Sequence, residues 1–354
     1  MKLGLVLPRR GPSGLWAMGC EAAAALAVAE LNAAGGVLGR DASLAVACSG
    51  ETPQEAAQAA AGLVDDDAVD AVIGFQPSHM RRAVRMRLNG AVPYFYTPQY
   101  EGGYAGPATV ALGVTDAEVL GPALAYLSGA KRVRRGYFVG NDYIWPRTAH
   151  GTAMDAMARS GIRTAGASII PFGVEDYTPI LASIRQAAPD LVITVLLGEE
   201  TVRFHRAFAA SGLARRTLRL ALATDETLLL GIGPDAAENL FAADTFFASR
   251  PCKRRSAMLE TYAQSFGGTR PPVNVFSLGC YDAVHHAARL ARTVGSLGGQ
   301  GLGQGLGQGI LRVMGEGAGR RLPRARSPAG TPRRRPPVHI AEADGTGFRV
   351  HATV

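Results

Sequence analysis

An apolar run of strand length, then an Ala-rich helical stretch, then another apolar run: this order recurs along nearly the whole chain and restricts it to the parallel α/β class. Lys2-Leu3-Gly4-Leu5-Val6-Leu7 reads as a buried first strand, ended by Pro8-Arg9-Arg10-Gly11-Pro12. Alanine content makes residues 21–32 a helix, and Gly35-Gly36 stops it. A strand over 43–48 follows, then a helix opened by Thr52-Pro53 with Glu55 in its first turns, then strands over 69–74 and 92–95.

The same grammar restarts after residue 114. Asp116 begins a helix, Gly136-Tyr137-Phe138-Val139 is a strand, and residues 191–197 are apolar on both faces, as a central parallel strand must be. His339-Ile340-Ala341-Glu342 and Phe348-Arg349-Val350 are strand-like again. Two such series predict two doubly wound, Rossmann-like lobes with parallel sheets, and 354 residues is more than one core usually serves. In such lobes small ligands bind off the strand ends, so the crevice there is the expected site.

Two segments break the pattern. Residues 298–309 repeat Gly-Leu-Gly-Gln and read as a Gly-rich flexible loop; residues 318–337 are Arg- and Pro-rich without period. The second segment holds Arg320, Arg321, Arg324, Arg326, Arg333, Arg334 and Arg335, which supply seven of the formal +8 charges. The rest of the chain is close to neutral, so the basic balance does not mark a nucleic-acid face.

No secretory leader is read ahead of the first strand, and no apolar run is free enough of Gly and charge to suggest membrane insertion, so the expected location is the cytoplasm. A start further upstream would move it to the periplasm. Cys20, Cys48, Cys252 and Cys280 are widely spaced and lack CxxC pairing, which favours buried free thiols. No P-loop, HExxH, G-x-S-x-G or GxGxxG motif stands at the required place, and seven histidines show no ligand spacing. A non-catalytic binding protein without cofactor or metal is expected.

Three segments suit a binding site. Ser78 follows an apolar strand and a Gly, where its hydroxyl and the first amides of a helix can receive a carbonyl or carboxylate oxygen; a plain N-cap is the other reading. His79 beside it reads as an exposed first-turn histidine. Tyr96, Thr97 and Pro98 lie past a strand: Tyr96 can wall a planar ligand and Thr97 can bond it, while Tyr94 and Phe95 read as core. Tyr143 and Trp145, two apart, face the same way if the loop is extended. Asp142 and Arg147 read either as contacts or as a helix-start carboxylate and a solvated charge.

In their order and separations, Ile73-Gly74-Phe75-Gln76-Pro77-Ser78-His79, Tyr96-Thr97-Pro98-Gln99-Tyr100-Glu101-Gly102 and Asn141-Asp142-Tyr143-Ile144-Trp145-Pro146-Arg147 resemble the type I periplasmic-binding-protein family. So does the first helix and turn, residues 30–40. The nearest branch is the amide sensor of the aliphatic amidase operon with the urea and short-amide binding proteins. The resemblance implies two lobes joined by three crossovers near residues 114, 247 and 330: lobe 1 as 1–113 plus 248–330, lobe 2 as 114–247 plus 331–354. It implies closure over one small ligand, an amide, urea or amino acid, with Tyr143 and Trp145 as a lid pair. Glu226, in the strand-end cluster Thr224-Asp225-Glu226, is the acid that would hold a ligand nitrogen, with helix capping as its alternative. Gly198-Glu199-Glu200-Thr201 is a similar cluster, and Phe246 and Phe247 are hinge packing or pocket floor.

Gln76 stands where the amide sensor has an aromatic, which opens the pocket to something more polar. The Arg/Pro-rich segment replaces a hairpin, through local divergence or a frame slip in GC-rich coding sequence. The function expected first is a cytoplasmic amide-type sensor passing closure to a transcription antitermination regulator; the alternative is the substrate-binding component of an ABC transporter for branched-chain amino acids, amides or urea, with an ABC permease as partner. Direct nucleic-acid binding is not expected, and a homodimer is left open.

Overall fold

Buried apolar strands alternate with helices from the first residues onward. In chain order the elements are β1 (Lys2–Leu7), α1 (Ala17–Ala33), β2 (Ser43–Cys48), α2 (Pro53–Asp65), β3 (Ala71–Gly74), α3 (Ser78–Leu88), β4 (Tyr94–Tyr96) and β5 (Thr109–Ala111). Next come α4 (Asp116–Ala130), β6 (Arg135–Asn141), α5 (Ile144–Arg159), β7 (Arg163–Ile170), α6 (Thr178–Ala187), β8 (Leu191–Val195), α7 (Glu199–Ala210), β9 (Leu218–Ala221), α8 (Glu226–Ile232) and β10 (Leu240–Asp244). The last are α9 (Ser256–Phe266), α10 (Val275–Val294), β11 (His339–Asp344) and β12 (Gly347–Thr353). This computed structural model describes residues 1–103, 105–106, 108–250, 255–268, 270–295 and 337–354. The Gly-rich 298–309 repeat, Cys252, residues 318–336 and the third crossover near 330 lie outside the described residues.

The chain forms two α/β units. Unit 1 is Met1–Val114 with Arg254–Pro336, and unit 2 is Thr115–Lys253 with Pro337–Val354. In unit 1 the strand order is β2-β1-β3-β4-β5, with every neighbouring pair parallel. The first strand is followed by one neighbour on each side, so the order reverses between β1 and β3. Val6, Val72, Tyr94 and Tyr96 pack beneath α2 and α3 in one buried cluster. On the opposite side α1 lies against α10. The stretch Gly14–Ala33 is long and apolar enough to cross a membrane, but Cys20, Ala23, Ala24 and Ala27 are wholly buried, which marks a core helix.

Unit 2 has the order β12-β11-β10-β9-β8-β6-β7, parallel except for the antiparallel run β10-β11-β12 at one end. Its order reverses between β6 and β8. All five residues of β8 are buried, as its two-faced apolar run requires.

Local signals explain the boundaries. Thr52 accepts from the Glu55 amide while the Glu55 carboxylate accepts from the Thr52 amide, a reciprocal cap that stabilises α2 by roughly 1 kcal/mol. At α4 the Glu118 carboxylate accepts from the Thr115 amide in the same way. The strand expected over 92–95 begins at Tyr94 instead, because Pro93 has no amide hydrogen to give the ladder. The first helix begins at Ala17, four residues before the alanine-rich stretch, since Trp16 and Ala17 are already buried. Cys20 and Cys280 are buried free thiols and Cys48 is half-buried.

Candidate functional site

In unit 1 the candidate residues stand just past the carboxyl ends of two adjacent parallel strands. Gln76 and Ser78 follow β3, and Thr97 and Pro98 follow β4, which pairs with it. This is beside the reversal of strand order, where open α/β sheets take their ligands. Gly74 lets the chain fold tightly there: a Cβ on it would stand 2.6 Å from Gln76 Oε1 and from the Tyr94 ring.

The side chains in this group hold one another. The Gln76 amide bonds the Tyr94 hydroxyl and has a second polar atom, Oε1, with no hydrogen-bond partner among the described residues. Tyr96 donates its hydroxyl to the Gln76 carbonyl at 2.9 Å, and Thr97 donates to the Gly74 carbonyl at 3.2 Å. Ser78 is the first residue of α3 and not its cap; its hydroxyl donates to Glu101 Oε2 at 2.7 Å. Arg81, one turn on, donates to the other oxygen of Glu101 at 2.6 Å and lies over the rings of Tyr96 and Tyr100. Tyr96 is wholly buried in the core cluster with Tyr94, so its ring packs the interior in this structure, and Phe95 between them is buried as well. His79 is half-buried rather than exposed, and burial holds its imidazole below the usual pKa.

Unit 2 offers a second group at its own reversal point. Asn141 ends β6, and its side-chain oxygen accepts from the Leu197 amide just past β8 at 2.9 Å, tying the two strand ends together. The Asn141 Nδ2 atom is buried without a hydrogen-bond partner among the described residues. Tyr143 caps α5 in extended conformation and Trp145 is already helical, so the alternation that would aim both rings one way does not apply. Trp145 turns inward, donating Nε1 to both carboxylate oxygens of Asp116 at 2.9 and 3.0 Å. Tyr143 packs on Phe172, with ring centroids 5.3 Å apart, and meets the Trp145 ring edge-on at 6.3 Å. Asp142 and Arg147 form an exposed ion pair at 2.6 Å, the solvated reading of those charges.

Glu226 follows β9, beside β8. The capping role falls to Asp225, whose carboxylate accepts from the Leu228 amide, which leaves Glu226 free of that task. One Glu226 oxygen accepts from the Ala248 amide at 2.7 Å; the other is buried with no hydrogen-bond partner among the described residues. Burial raises its pKa. Glu200, after β8, accepts from the Gly173 amide and lies beside Tyr177, whose hydroxyl is pushed up to about 12 by burial and by that carboxylate. Glu199 is exposed and pairs with Arg203. Phe246 and Phe247 are buried, the latter against Phe348.

The structure thus links Gln76, Ser78, Tyr96 and Thr97 in unit 1, and in unit 2 keeps the Tyr143 and Trp145 rings in edge-on contact while turning the Trp145 donor to Asp116. Sequence reading missed Arg81, Glu101 and Asn141 as site residues. Glu101 and Asn141 lie inside quoted motifs, and an acid five residues past an aromatic-rich strand end was the available signal.

Comparison with known proteins places the chain. It belongs to the periplasmic binding protein family, whose pattern it matches over residues 1–320. Solved structures share the fold: a solute binding protein of an ABC transporter from R. palustris in complex with 4-hydroxybenzoate superposes with a TM-score of 0.80 at 17% identity, covering 100% of this chain and 96% of that one. The branched-chain amino acid transporter substrate binding protein of Streptococcus pneumoniae, in complex with isoleucine, gives 0.81 at 16% identity, covering 100% and 98%. An ABC transporter substrate-binding protein from Sphaerobacter thermophilus gives 0.79 at 21%, covering 100% and 97%. The family and these neighbours are binding proteins by description, and the two-lobe type I fold is the one they share with this chain.

Proposed function

We propose that the chain is the solute-binding component of an ABC transporter, that its solute is a short amide, urea-like compound or amino acid, and that an ABC permease is its partner. The observation that carries the solute site is the placement of buried side-chain polar atoms without a hydrogen-bond partner among the described residues: Gln76 and Asn141 stand at strand ends beside the strand-order reversals, and Glu226 follows β9, one strand further on. A buried polar atom without a partner costs about 1–3 kcal/mol, which a bound solute offsets by bonding to it. In this reading Gln76, Ser78, Thr97 and Pro98 are the candidate solute contacts of unit 1, backed from the core by Tyr96, and Tyr143, Trp145 and Glu226 are the candidate contacts of unit 2. Trp145 acts through position, since its donor is spent on Asp116.

The transporter reading replaces the cytoplasmic amide sensor as the first choice. The similar structures are transport solute-binding proteins, and nothing among them supports a sensor or an antitermination partner. The expected location moves with it, from the cytoplasm to the periplasm. Thermal unfolding against amides, ureas and amino acids tests the site: a solute at 100 times its Kd raises stability by about 2.7 kcal/mol. Release of the native protein by osmotic shock of the source cells supports the transporter; retention with cytoplasmic markers returns the sensor.

A further inference from the structure

Glu101 brings a carboxylate to the first turn of α3. Ser78 and Arg81 each donate to one of its oxygens, at 2.7 and 2.6 Å, and the Arg81 and Glu101 side chains are only 13% and 12% exposed. The Arg81 guanidinium is further held over the rings of Tyr96 and Tyr100, at 4.9 and 5.0 Å. A pair so enclosed is costly to split, because removing one charge leaves the other buried and uncompensated.

The hydroxyl donors of this unit are committed in the same way. Ser78 donates to Glu101, Tyr96 to the Gln76 carbonyl and Thr97 to the Gly74 carbonyl. Whichever way the Gln76 amide is turned, one of its polar atoms meets Tyr94 and the other remains. An incoming carboxylate needs several donors at once, and the Ser78 hydroxyl and one edge of the Arg81 guanidinium are engaged by a carboxylate already in the chain. An incoming N–H group needs an acceptor, and faces no such competition.

We propose that Glu101 stands in for an anionic solute group, so that unit 1 selects neutral or cationic nitrogen solutes (amides, ureas or amines) over carboxylates of the same shape. The proposal rests on the reading that the strand ends of unit 1 take the solute. It makes Glu101 a specificity-determining residue that acts by occupying Ser78 and Arg81.

Matched pairs of probes test it: 4-hydroxybenzamide against 4-hydroxybenzoate, and isoleucinamide against isoleucine, titrated calorimetrically into the full chain, Glu101→Ala and Glu101→Gln. The wild type is expected to bind the amide of a pair about tenfold or more tightly than the acid. Glu101→Ala frees Ser78 and Arg81 and raises acid affinity about tenfold with a smaller change for the amide; Glu101→Gln keeps the size, loses the charge and falls between. Equal binding of both members by the wild type, or an amide-to-acid ratio unmoved by the variants, overturns the role of Glu101 alone. If Glu101→Ala does not fold by circular dichroism, the ratio in Glu101→Gln decides. Failure of every probe to bind any of the folded proteins overturns the solute site together with this proposal.

Discussion

Trp145 donates its indole N–H to both carboxylate oxygens of Asp116, at 2.9 and 3.0 Å, and thereby pins the start of α5 to the start of α4. Asp116 is wholly buried, so the bond is made where water cannot replace it. Trp145→Phe keeps most of the apolar surface but deprives the carboxylate of this donor. It is expected to lower unfolding free energy by about 1.5–3 kcal/mol, the range for a hydrogen bond to a charged group. Urea unfolding with an unchanged slope and a lower midpoint is the check; an unchanged midpoint contradicts it.

Glu226 gives a pH prediction. Burial raises its pKa in the folded chain, so the native state keeps the proton to higher pH than the unfolded chain does. Its contribution to stability is therefore fully present below the unfolded value, and is lost as pH rises through the folded one. Glu226→Gln removes that loss while leaving an oxygen for the Ala248 amide. The variant's stability relative to wild type is expected to be higher at pH 7 than at pH 4, measured by denaturant unfolding at both.

His205 acts in the opposite sense. It is wholly buried, and burial followed by the nearby Arg219 charge holds its pKa well below the usual value. The unfolded chain binds a proton that the native chain refuses, so stability falls as pH drops below about 6.5, the value for an unperturbed histidine. His79, His285 and His339 are shifted the same way. His205→Gln should reduce the slope of stability between pH 6.5 and 5 by up to about 1.4 kcal/mol per pH unit. A slope equal to wild type contradicts this.

Gly113 holds the turn after β4 in place. A Cβ there would stand 1.8 Å from the Pro98 carbonyl oxygen, and backbone cannot yield as a flexible side chain does. Gly113→Ala must move the Thr97-Pro98 turn, at a cost of about 1–3 kcal/mol for overpacking. Loss of solute binding should accompany it. Normal stability and binding together would show that the turn is more pliable than this.

Sequence reading recovered the strands with pronounced apolar runs and named none of β5, β7 and β10, which are short or, in β7, half-exposed. The run over 191–197 needs burial on both faces, and β8 has it. It also recovered Thr52 with Glu55, since a cap is a local device. It did not recover the direction of Trp145, because that depends on Asp116, twenty-nine residues earlier. The Ser78 hydroxyl was expected to face a ligand or cap a helix; it meets Glu101, a long-range partner that no spacing rule supplies. For Tyr96 the wall reading and the core reading call for the same aromatic residue, and only its burial separates them.

The central claim is that the buried, unpartnered side-chain atoms of Gln76 in unit 1 and Glu226 in unit 2 each serve solute binding. Isothermal titration of the solute giving the largest thermal shift, into wild type, Gln76→Ala and Glu226→Ala, tests it most directly. The account predicts a loss of about tenfold or more in affinity for each variant separately. Unchanged affinity when either residue is replaced in a folded chain would contradict it.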